Sequence, residues 1–445
     1  MNMGLMEELR NKFEGKKALM VGLGLQGGGV GLIRFFCNLG SHVTVTDLKS
    51  NIELSDTIDN LKDLNITYSL NGHKLKDFLN ADIIFKGPSV PWDLDHLKQA
   101  ENKGIPIEME VSFTASYLKS KIIGVTGTRG KTTTTEMICS FLKKTDKKIH
   151  KAGNISGVST IKLLETAEKD DLVVLELSSW ALSGFHKKKI SPHIAVFTNL
   201  FPDHLNYYKT MEDYFYDKSA IFLYQNQSDY LFLNKNLKET VSRLEIKSKK
   251  IFFDKDDFDQ DFKYLKGNHN KENAAVAYLV SQLFKIDNMI ALKTLQGFKS
   301  VQYRQELIKQ IGVISFINDS TSTTPTSTIK AVEAFNDKAV VLILGGQTKK
   351  LPIKFLLEKM SSIEFIVLLK GSFTDEIYQE LKTKYKNKMS PIFNNLNEAV
   401  KFAYIKTLGL QKECYVIFSP GATSFAMFKN EFDRGNKFNE YVERL

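Results

Sequence analysis

Short apolar runs recur along this chain, and a turn or a longer amphipathic stretch follows each of them. Near the N-terminus these runs predict strands over Lys17–Gly22, His42–Thr46, Ala81–Lys86 and Ile105–Glu110, with an apolar helix over Val30–Leu39. Strands that alternate with helical stretches are typical of parallel α/β sheets. The first block of the chain is therefore predicted to form one such sheet.

The same alternation returns in two further blocks, and 445 residues suggest about three domains at roughly 150 residues each. We predict an α/β protein with domains over residues 1–118, 119–299 and 300–445. The later strands are predicted over Lys121–Thr126, Leu172–Leu177, His193–Asn199, Asp229–Asn234, Val313–Asn318, Val340–Gly345, Phe365–Lys370 and Tyr415–Ser419.

Composition narrows the class of protein. Apolar residues make up 42% and charged residues 25% of the chain, as in ordinary soluble proteins. The polar segment Asn2–Lys17 lacks the apolar core of a signal peptide, and no apolar run approaches the ~18 residues of a membrane span. Cys37, Cys139 and Cys414 are odd in number and far apart, so we expect a reducing cytoplasm and neither disulfides nor a CxxC zinc site.

The net charge of +10 fits a nucleic acid, a small substrate that carries several phosphates, or a general richness in lysine that serves no particular partner. The lysines are spread along the chain, as at Lys187–Lys189 and Lys382–Lys388, and form no compact basic stripe interleaved with aromatic residues. Charge alone therefore does not favour a nucleic-acid partner.

A glycine-rich segment, Gly124–Thr134, lies between a predicted strand and a predicted helix. Small residues let backbone N–H groups converge on phosphate oxygens, and the helix N-terminus adds a positive dipole end. Lys131 is placed to reach the β- and γ-phosphates, and the Thr132 hydroxyl to bind Mg²⁺. The spacing departs from the strict P-loop, because Val125 stands where its first glycine belongs. The segment predicts a nucleoside-triphosphate site.

A second glycine-rich turn, Gly22–Gly27, fits the GxGxxG pattern, and Asp47 follows at roughly the ribose-binding spacing. This pattern is compatible with a dinucleotide and hence with an oxidoreductase. It is equally compatible with the diphosphate of a UDP-sugar. One triphosphate loop and one diphosphate turn in the same chain favour two phosphorylated substrates over hydride transfer.

Acidic and basic side chains follow the strands of the second block. Glu176 ends one apolar strand, and Asp203 and His204 come shortly after the next. The carboxyl edge of a parallel sheet is where ligands bind, and carboxylate oxygens suit Mg²⁺. Lys218 lies on an aromatic-rich helical stretch over Tyr214–Leu223, and its segment alone predicts a surface lysine.

Taken together, these motifs resemble the Mur ligases, and the last of them resemble the glutamate-adding branch of that family. The resemblance covers nearly the whole chain and keeps the order of the motifs. The matching segments are Gly127–Thr133, Gly153–Gly157, Glu176–Ser179, Asp203–Leu205, Lys218, Gly267–Asn273, Tyr303–Glu306, Asn318–Ser320, Leu344–Lys349, Ser419–Phe428 and Arg434–Gly435.

The resemblance implies a Rossmann-like N-terminal domain, a P-loop-type central ATPase domain and a Rossmann-like C-terminal domain. It implies a cytoplasmic, monomeric enzyme that uses ATP to join glutamate, in the D configuration, to UDP-N-acetylmuramoyl-L-alanine for peptidoglycan synthesis. The alanine carboxylate would become an acyl phosphate, and attack by the amine would give a tetrahedral intermediate that loses phosphate. Catalysis of this kind depends on positioning and charge neutralisation.

The resemblance also implies a role for individual residues. ATP would be held by Thr128, Arg129, Gly130, Lys131, Thr132, Thr133, Thr134, Asn273, Arg304 and Asp319. The UDP-linked precursor would be held by Leu25, Gln26, Asp47, Asn154 and Ser178. The incoming amino acid would be held by Thr323, Lys349, Ser424 and Phe428. Two Mg²⁺ ions would be held by Thr132, Glu176, His204 and a carbamylated Lys218, with Lys131, His204 and Lys218 as the catalytic residues.

Two segments differ from the family pattern. Tyr303 replaces a histidine, and Thr321–Pro325 replaces the usual Lys-Ala-Thr-Asn of glutamate ligases. Because the second segment borders the amino-acid pocket, a ligase specific for L-glutamate is an alternative. The signature Asp-Asn-Pro-Arg of the branch that adds diaminopimelate or lysine is absent.

Other classes built on the same core are less well matched. A nucleotide-binding amidotransferase subunit acting on muropeptide would carry a four-cysteine zinc insert. Folate ligases begin with the ATPase domain, whereas here a glycine-rich domain ending near Leu118 comes first. A non-catalytic protein would have no reason to keep Lys131, Glu176, His204 and Lys218 together.

Overall fold

The computed structural model of the chain describes residues 3–23, 28–155, 158–203, 207–258, 267–335, 338–410, 412–425 and 427–445. Its strands are β1 Lys17–Val21, β2 His42–Thr46, β3 Ile66–Ser69, β4 Ile83–Lys86, β5 Ile107–Glu108, β6 Lys121–Thr126, β7 Ile149–Gly153, β8 Leu172–Glu176, β9 Ile194–Phe197, β10 Tyr230–Asn234, β11 Lys249–Phe253, β12 Glu306–Ile311, β13 Ile314–Asn318, β14 Ala339–Gly345, β15 Phe365–Leu369, β16 Met389–Phe393 and β17 Cys414–Phe418.

Helices connect most of these strands. The α-helices are α1 Met3–Phe13, α2 Gly28–Asn38, α3 Ser55–Asp59, α4 Leu75–Leu79, α5 Asp95–Asn102, α6 Glu110–Tyr117, α7 Lys131–Leu142, α8 Leu163–Thr166, α9 Ser179–Lys188, α10 Met211–Ser219, α11 Asn268–Leu283, α12 Asn288–Gln296, α13 Pro325–Glu333, α14 Lys354–Lys359, α15 Ser372–Tyr385, α16 Leu396–Leu408 and α17 Glu431–Glu443. Short 3₁₀ helices span Thr160–Lys162, Lys235–Leu237, Lys255–Phe258, Met360–Ser362 and Lys386–Lys388.

The strands form three sheets, in the orders β3-β2-β1-β4-β5, β11-β10-β9-β6-β8-β7 and β12-β13-β17-β14-β15-β16. Every pairing is parallel except that of β12 with β13, which is antiparallel. The α/β class is therefore confirmed. In the first two sheets the order reverses beside the first strand, β1 or β6, which creates the crevice in which such folds bind ligands.

Central strands of the sheets are apolar because helices cover both faces. Every residue of β8, β9 and β14 is buried, as expected for parallel strands. Each predicted strand begins and ends within two residues of a strand in the structure. The predicted runs missed β3, β7, β11, β12 and β16, all of which lie at the edge of a sheet.

The chain is organised as two compact units. The first contains residues 1–257 and 272–291, and the second residues 258–271 and 292–445. The first two sheets belong to the first unit and the third sheet to the second. The predicted boundaries at residues 118 and 299 fall between the sheets and stay predictions. No described helix is long and apolar enough to cross a membrane.

Candidate active site

The second sheet brings four predicted site segments to its carboxyl edge. Val125 of β6 pairs with Glu176 of β8, and Glu176 pairs in turn with Gly153 of β7. On the other side of β6, Thr126 pairs with Phe197 of β9. The loops that follow these strands therefore start side by side. They carry the glycine-rich segment, Asn154 and Asp203.

The glycine-rich segment Gly124–Thr134, called the phosphate loop below, requires glycine at two positions. Gly127 has φ of 147° and Gly130 has φ of 82°, values that residues with a Cβ rarely adopt. A Cβ on Gly127 would overlap Thr198 Oγ1, and one on Gly130 would overlap Asn273 Oδ1. Gly130 directly precedes α7, so the loop turns into the helix N-terminus. This is the strand–turn–helix context that the sequence predicted.

Residues after β9 fix the loop in place. The backbone N–H of Thr128 donates to the Asn199 carbonyl over 2.9 Å, and that of Arg129 donates to Asn199 Oδ1 over 2.8 Å. Thr198 Oγ1 donates to the Arg129 carbonyl over 2.6 Å. Sequence reasoning did not assign Asn199 a role. The available signal was a polar residue at the end of an apolar run, at the same edge of the sheet as the loop.

Lys131 folds back over the loop. Its Nζ donates to the carbonyls of Gly127 and Thr128, each over 3.1 Å. Thr132 follows in the first turn of α7 and is half-buried, whereas Thr133 is buried. The ammonium group and the Thr132 hydroxyl thus lie at the start of the helix, where they can meet phosphate and metal.

Asn273 closes the other side of the loop within the same unit. It is buried, and its Oδ1 accepts a hydrogen bond from Thr134 Oγ1 over 3.2 Å. The Asn273 side chain also packs against Gly130, so there is no room for a side chain at position 130.

Glu176 offers an unused carboxylate oxygen. Its side chain is 3% exposed. Oε1 accepts from Asn154 Nδ2 over 3.2 Å, while Oε2 is buried and has no hydrogen-bond partner among the described residues. A buried carboxylate oxygen without a partner is costly. A bound cation would satisfy it.

Lys218 is buried, which corrects the expectation of a surface lysine. It is 1% exposed, and its Nζ donates to the Gly127 carbonyl over 3.0 Å and lies 4.7 Å from the centroid of the Tyr214 ring. Burial, together with the nearby Lys131, lowers the pKa of Lys218 well below its ordinary value. The buried ammonium form of Lys218 is therefore disfavoured beside the phosphate loop.

Asp203 lies near the loop, with a carboxylate oxygen 3.7 Å from the Arg129 guanidinium. His204 lies outside the described residues, so its predicted part in metal binding stays a prediction. Among the residues that the structure describes, no group of three or more His, Cys, Asp or Glu side chains is arranged to hold a metal.

At the first sheet, Asp47 braces the glycine-rich turn. Its two carboxylate oxygens accept from the backbone N–H groups of Leu23 (2.8 Å) and Lys49 (3.0 Å). Leu25 and Gln26 fall outside the described residues. Ser178, predicted for the same substrate, caps α9 by accepting from Ala181 N–H over 3.1 Å.

In the second unit, Asp319 is the centre of a buried polar cluster after β13. Ser419 Oγ donates to it over 2.7 Å and the Gln305 N–H over 3.2 Å. Burial raises the pKa of Asp319 to about 6, and the exposed Arg304 opposes that rise. Asp319 and Ser419 follow adjacent strands, since Asn318 pairs with Phe418.

The predicted amino-acid residues follow three strands of the third sheet. Lys349, after β14, is exposed, and its Nζ donates to Thr323 Oγ1 over 3.1 Å. Ser424, after β17, is buried, and its hydroxyl has no partner among the described residues. Phe428 is half-buried at the edge of the core. The structure thus brings Thr323 and Lys349 into contact and leaves one buried hydroxyl available.

The segment that departs from the family pattern forms the start of α13. Thr324 caps the helix by accepting from Ser327 N–H, and Pro325 occupies the first turn. Thr321 Oγ1 donates to the Tyr303 carbonyl over 2.9 Å, and the Tyr303 hydroxyl donates to Asn436 Oδ1 over 2.6 Å. Both departures therefore have local structural roles.

Comparison with known proteins identifies related sequences. The model described as "Mur ligase middle domain" matches residues 125–293, and the model "Mur ligase MurD-like, N-terminal domain" matches residues 16–108. A UDP-N-acetylmuramoylalanine–D-glutamate ligase of Borreliella afzelii is 35% identical, covering 96% of this chain and 97% of the relative. A ligase of the same name from Clostridium kluyveri is 36% identical, covering 97% of each chain.

Solved structures share the fold at low sequence identity. The UDP-N-acetylmuramate–alanine ligase of Thermotoga maritima superposes with a TM-score of 0.59 at 18% identity, over 96% of this chain and 99% of that one. MurF ligase of the same organism, solved with ADP, gives 0.60 at 17% identity, over 98% and 97%. Both likenesses support the fold alone.

Proposed function

The chain belongs to the Mur ligase family, and from that premise we propose that it joins D-glutamate to UDP-N-acetylmuramoyl-L-alanine at the expense of ATP. The products are the extended precursor, ADP and phosphate, in the synthesis of peptidoglycan. We place this activity in the cytoplasm, in a monomer.

One observation of the structure carries the catalytic part of the proposal. The phosphate loop, the Lys131 ammonium group and a Glu176 oxygen that has no partner among the described residues lie where β6 and β8 end in register. Such a site suits a nucleoside triphosphate with a divalent cation. Full-length similarity to D-glutamate ligases supplies the substrates.

The chemistry follows from the poor electrophilicity of a carboxylate. The alanine carboxylate attacks the γ-phosphorus of ATP, which forms an acyl phosphate and releases ADP. The glutamate amine then attacks the acyl carbon, loses a proton, and the tetrahedral intermediate expels phosphate. Lys131 and the backbone N–H groups of the loop neutralise charge on the transferring phosphoryl group.

The residues present fit Mg²⁺. Glu176 Oε2 and the Thr132 hydroxyl supply the hard oxygen ligands that the ion prefers, and two ions would also engage His204 and Lys218. Bound Mg²⁺ would withdraw charge from the phosphate oxygens. Lys218 can serve only once its amine has added CO₂ and released a proton, giving a carbamate. Its lowered pKa favours the neutral amine that this addition needs.

The remaining roles are assigned by their position. Asp47, Asn154 and Ser178 would contact the UDP-linked precursor. The Lys349 ammonium group suits the side-chain carboxylate of glutamate, and Ser424 Oγ, which has no partner among the described residues, could donate to a second carboxylate oxygen. Asn273, Arg304 and Asp319 would contact the nucleotide.

An L-glutamate-specific ligase is the second candidate, because Thr321 and Thr324 stand at pocket positions that differ from the family pattern. The test is ATP-dependent phosphate release with UDP-N-acetylmuramoyl-L-alanine and D-glutamate, L-glutamate or no amino acid. Release with D-glutamate alone is expected. Release with L-glutamate alone would move the chain to the second candidate, and no release with either would overturn the glutamate assignment.

A further inference from the structure

A lysine outside the predicted site is buried without a carboxylate partner. Lys86 ends β4 and is 3% exposed. Its Nζ lies 3.3 Å from the Gly87 carbonyl, 3.6 Å from Met109 Sδ and 4.6 Å from the centroid of the Trp92 ring. Within the described part of the chain, no carboxylate forms an ion pair with it. Burying an ammonium group in this way is costly unless something later supplies the opposite charge.

The location of Lys86 is that of a ligand-binding residue. Lys86 pairs in register with Val21, the residue before the glycine-rich turn. The first sheet has the order β3-β2-β1-β4-β5, so its switch point lies between β1 and β4. In open parallel sheets the crevice at that point, outside the carboxyl ends of the strands, receives the ligand.

The surroundings of Lys86 connect the first sheet to the second. Trp92 Nε1 donates to Ser183 Oγ of α9 over 2.8 Å, which fixes the ring beside the ammonium group. On α10, Asp217 lies near enough to act on Lys86 electrostatically and accepts a hydrogen bond from the Tyr208 hydroxyl over 2.9 Å. Asp217 directly precedes Lys218, so Lys86 lies on the side of the first sheet that faces the phosphate-loop region.

We propose that Lys86 binds an oxyanion of the nucleotide-linked precursor, between the glycine-rich turn and the phosphate loop. The inference rests on the proposed function, which requires a substrate that spans these two places. That substrate carries two kinds of oxyanion, a diphosphate and the carboxylate that reacts. An oxyanion at Nζ would complete the opposite charge that Asp217 supplies only in part.

The electrostatics of the free protein agree with this role. Burial lowers the pKa of Lys86 to about 7, and Asp217 partly opposes the shift. Other charged groups nearby are engaged elsewhere: Lys187, on the same tryptophan ring, pairs with Glu101, and Glu108 pairs with Lys188. An arriving oxyanion favours the protonated amine, so precursor binding at pH 8 should take up as much as about one proton.

The test uses the full-length protein with Lys86→Met, which keeps length and removes charge. We expect the KM for UDP-N-acetylmuramoyl-L-alanine to rise by about 10- to 100-fold, as for loss of a charge-assisted contact, with little change in kcat. Lys187→Met is the matched control, because it removes an exposed charge from the same ring. Lys86→Arg should recover part of the affinity.

Binding calorimetry in buffers of different ionisation enthalpy supplies a readout that does not depend on turnover. Proton uptake should be present in the wild type and absent in Lys86→Met. UDP-N-acetylglucosamine, which has a diphosphate but no carboxylate, separates the two sources: weaker binding by the variant indicates the diphosphate, and unchanged binding with a raised precursor KM indicates the carboxylate.

An unchanged precursor KM together with unchanged proton uptake would overturn the inference. That result is distinct from failure of the proposed function, in which the wild type itself would not turn over. Thermal melting of each variant checks folding, and Lys86→Gln replaces Lys86→Met if the latter does not fold.

Discussion

The phosphate loop of the first unit and the proposed amino-acid pocket of the second unit each lie at the carboxyl edge of a mainly parallel sheet, yet they differ in how many contacts fix them. Asn199, Thr198 and Asn273 hold the loop on two sides, and its backbone needs glycine at two positions. In the proposed pocket, Lys349 is exposed, and its Nζ donates a hydrogen bond to Thr323 Oγ1. The phosphate loop would bind a group that all members of the family use, whereas the proposed amino-acid pocket must distinguish one amino acid from another.

The largest loss of activity should come from a substitution beside the phosphate loop. Glu176→Gln keeps the shape of the side chain and the hydrogen bond with Asn154 but removes the charge that would face Mg²⁺. We expect kcat to fall by about 10²- to 10³-fold and the Mg²⁺ concentration for half-maximal activity to rise. Phosphate release across an Mg²⁺ titration measures both. Glu165→Gln, on α8, is the control, and an unaltered Mg²⁺ dependence in Glu176→Gln would remove the metal from this site.

A substitution in the proposed amino-acid pocket should change the KM for glutamate without changing that for ATP. Lys349→Met removes the cation proposed for the glutamate side-chain carboxylate, so the KM for glutamate should rise by about 10- to 100-fold. The KM for ATP should stay as it is. Initial rates at varied glutamate, compared with those of the neighbouring Lys350→Met, give the answer. Equal effects of the two variants would mean that general charge, not a contact, attracts the substrate.

Stability should depend on pH through Asp319. Its pKa is about 6 in the folded protein against 3.8 ordinarily, so the folded state holds more protons between those values. The contribution of the protonated Asp319 carboxyl to the free energy of unfolding is therefore present at low pH, and it is lost as pH rises from about 4 to about 6. Asp319→Asn should lack this loss, gaining up to about 3 kcal/mol on the wild type between pH 4 and pH 7.

Chemical denaturation of Asp319→Asn and the wild type at both pH values measures this gain. The exposed Asp375 on α15 provides the control substitution, Asp375→Asn. A constant difference between Asp319→Asn and the wild type at all pH values would contradict the account of the buried carboxyl.

The smallest effect, on the free energy of unfolding, should come from crowding the ring of Tyr303, which replaces the family's histidine. A Cβ on Gly435 would overlap the Tyr303 ring, whose hydroxyl is held by Asn436. Gly435→Ala should lower the free energy of unfolding by about 1–3 kcal/mol, as overpacking does. Gly409→Ala, where a Cβ meets nothing within 4 Å, is the matched control. If the two variants melt alike, the ring is free to move aside.

Sequence patterns revealed the central strands of each sheet and missed five of the six edge strands. β8 and β14 are buried throughout and appear as apolar runs, whereas the edge strands β7 and β12 are mostly half-exposed and have mixed composition. A strand that hydrogen-bonds on one side only is not required to be apolar on both faces. Apolar runs alone therefore predict too few strands.

The site divides in the same way. Gly127 and Gly130 were recognisable from the sequence because positive φ angles and close packing favour glycine at both positions. The burial of Lys218 and the anchoring by Asn199 depend on packing between elements distant in sequence, which no local pattern records. Lys86 escaped notice for the same reason, since it looks like the last residue of an ordinary strand.

In the proposed function, the chain couples ATP to amide formation through an acyl phosphate. The most direct test uses UDP-N-acetylmuramoyl-L-alanine with ¹⁸O in the alanine carboxylate, together with ATP, Mg²⁺ and D-glutamate. Mass spectrometry of the released phosphate should find one ¹⁸O atom for each amide formed, because the bridging oxygen leaves with the phosphoryl group. Amide formation with unlabelled phosphate would contradict the account.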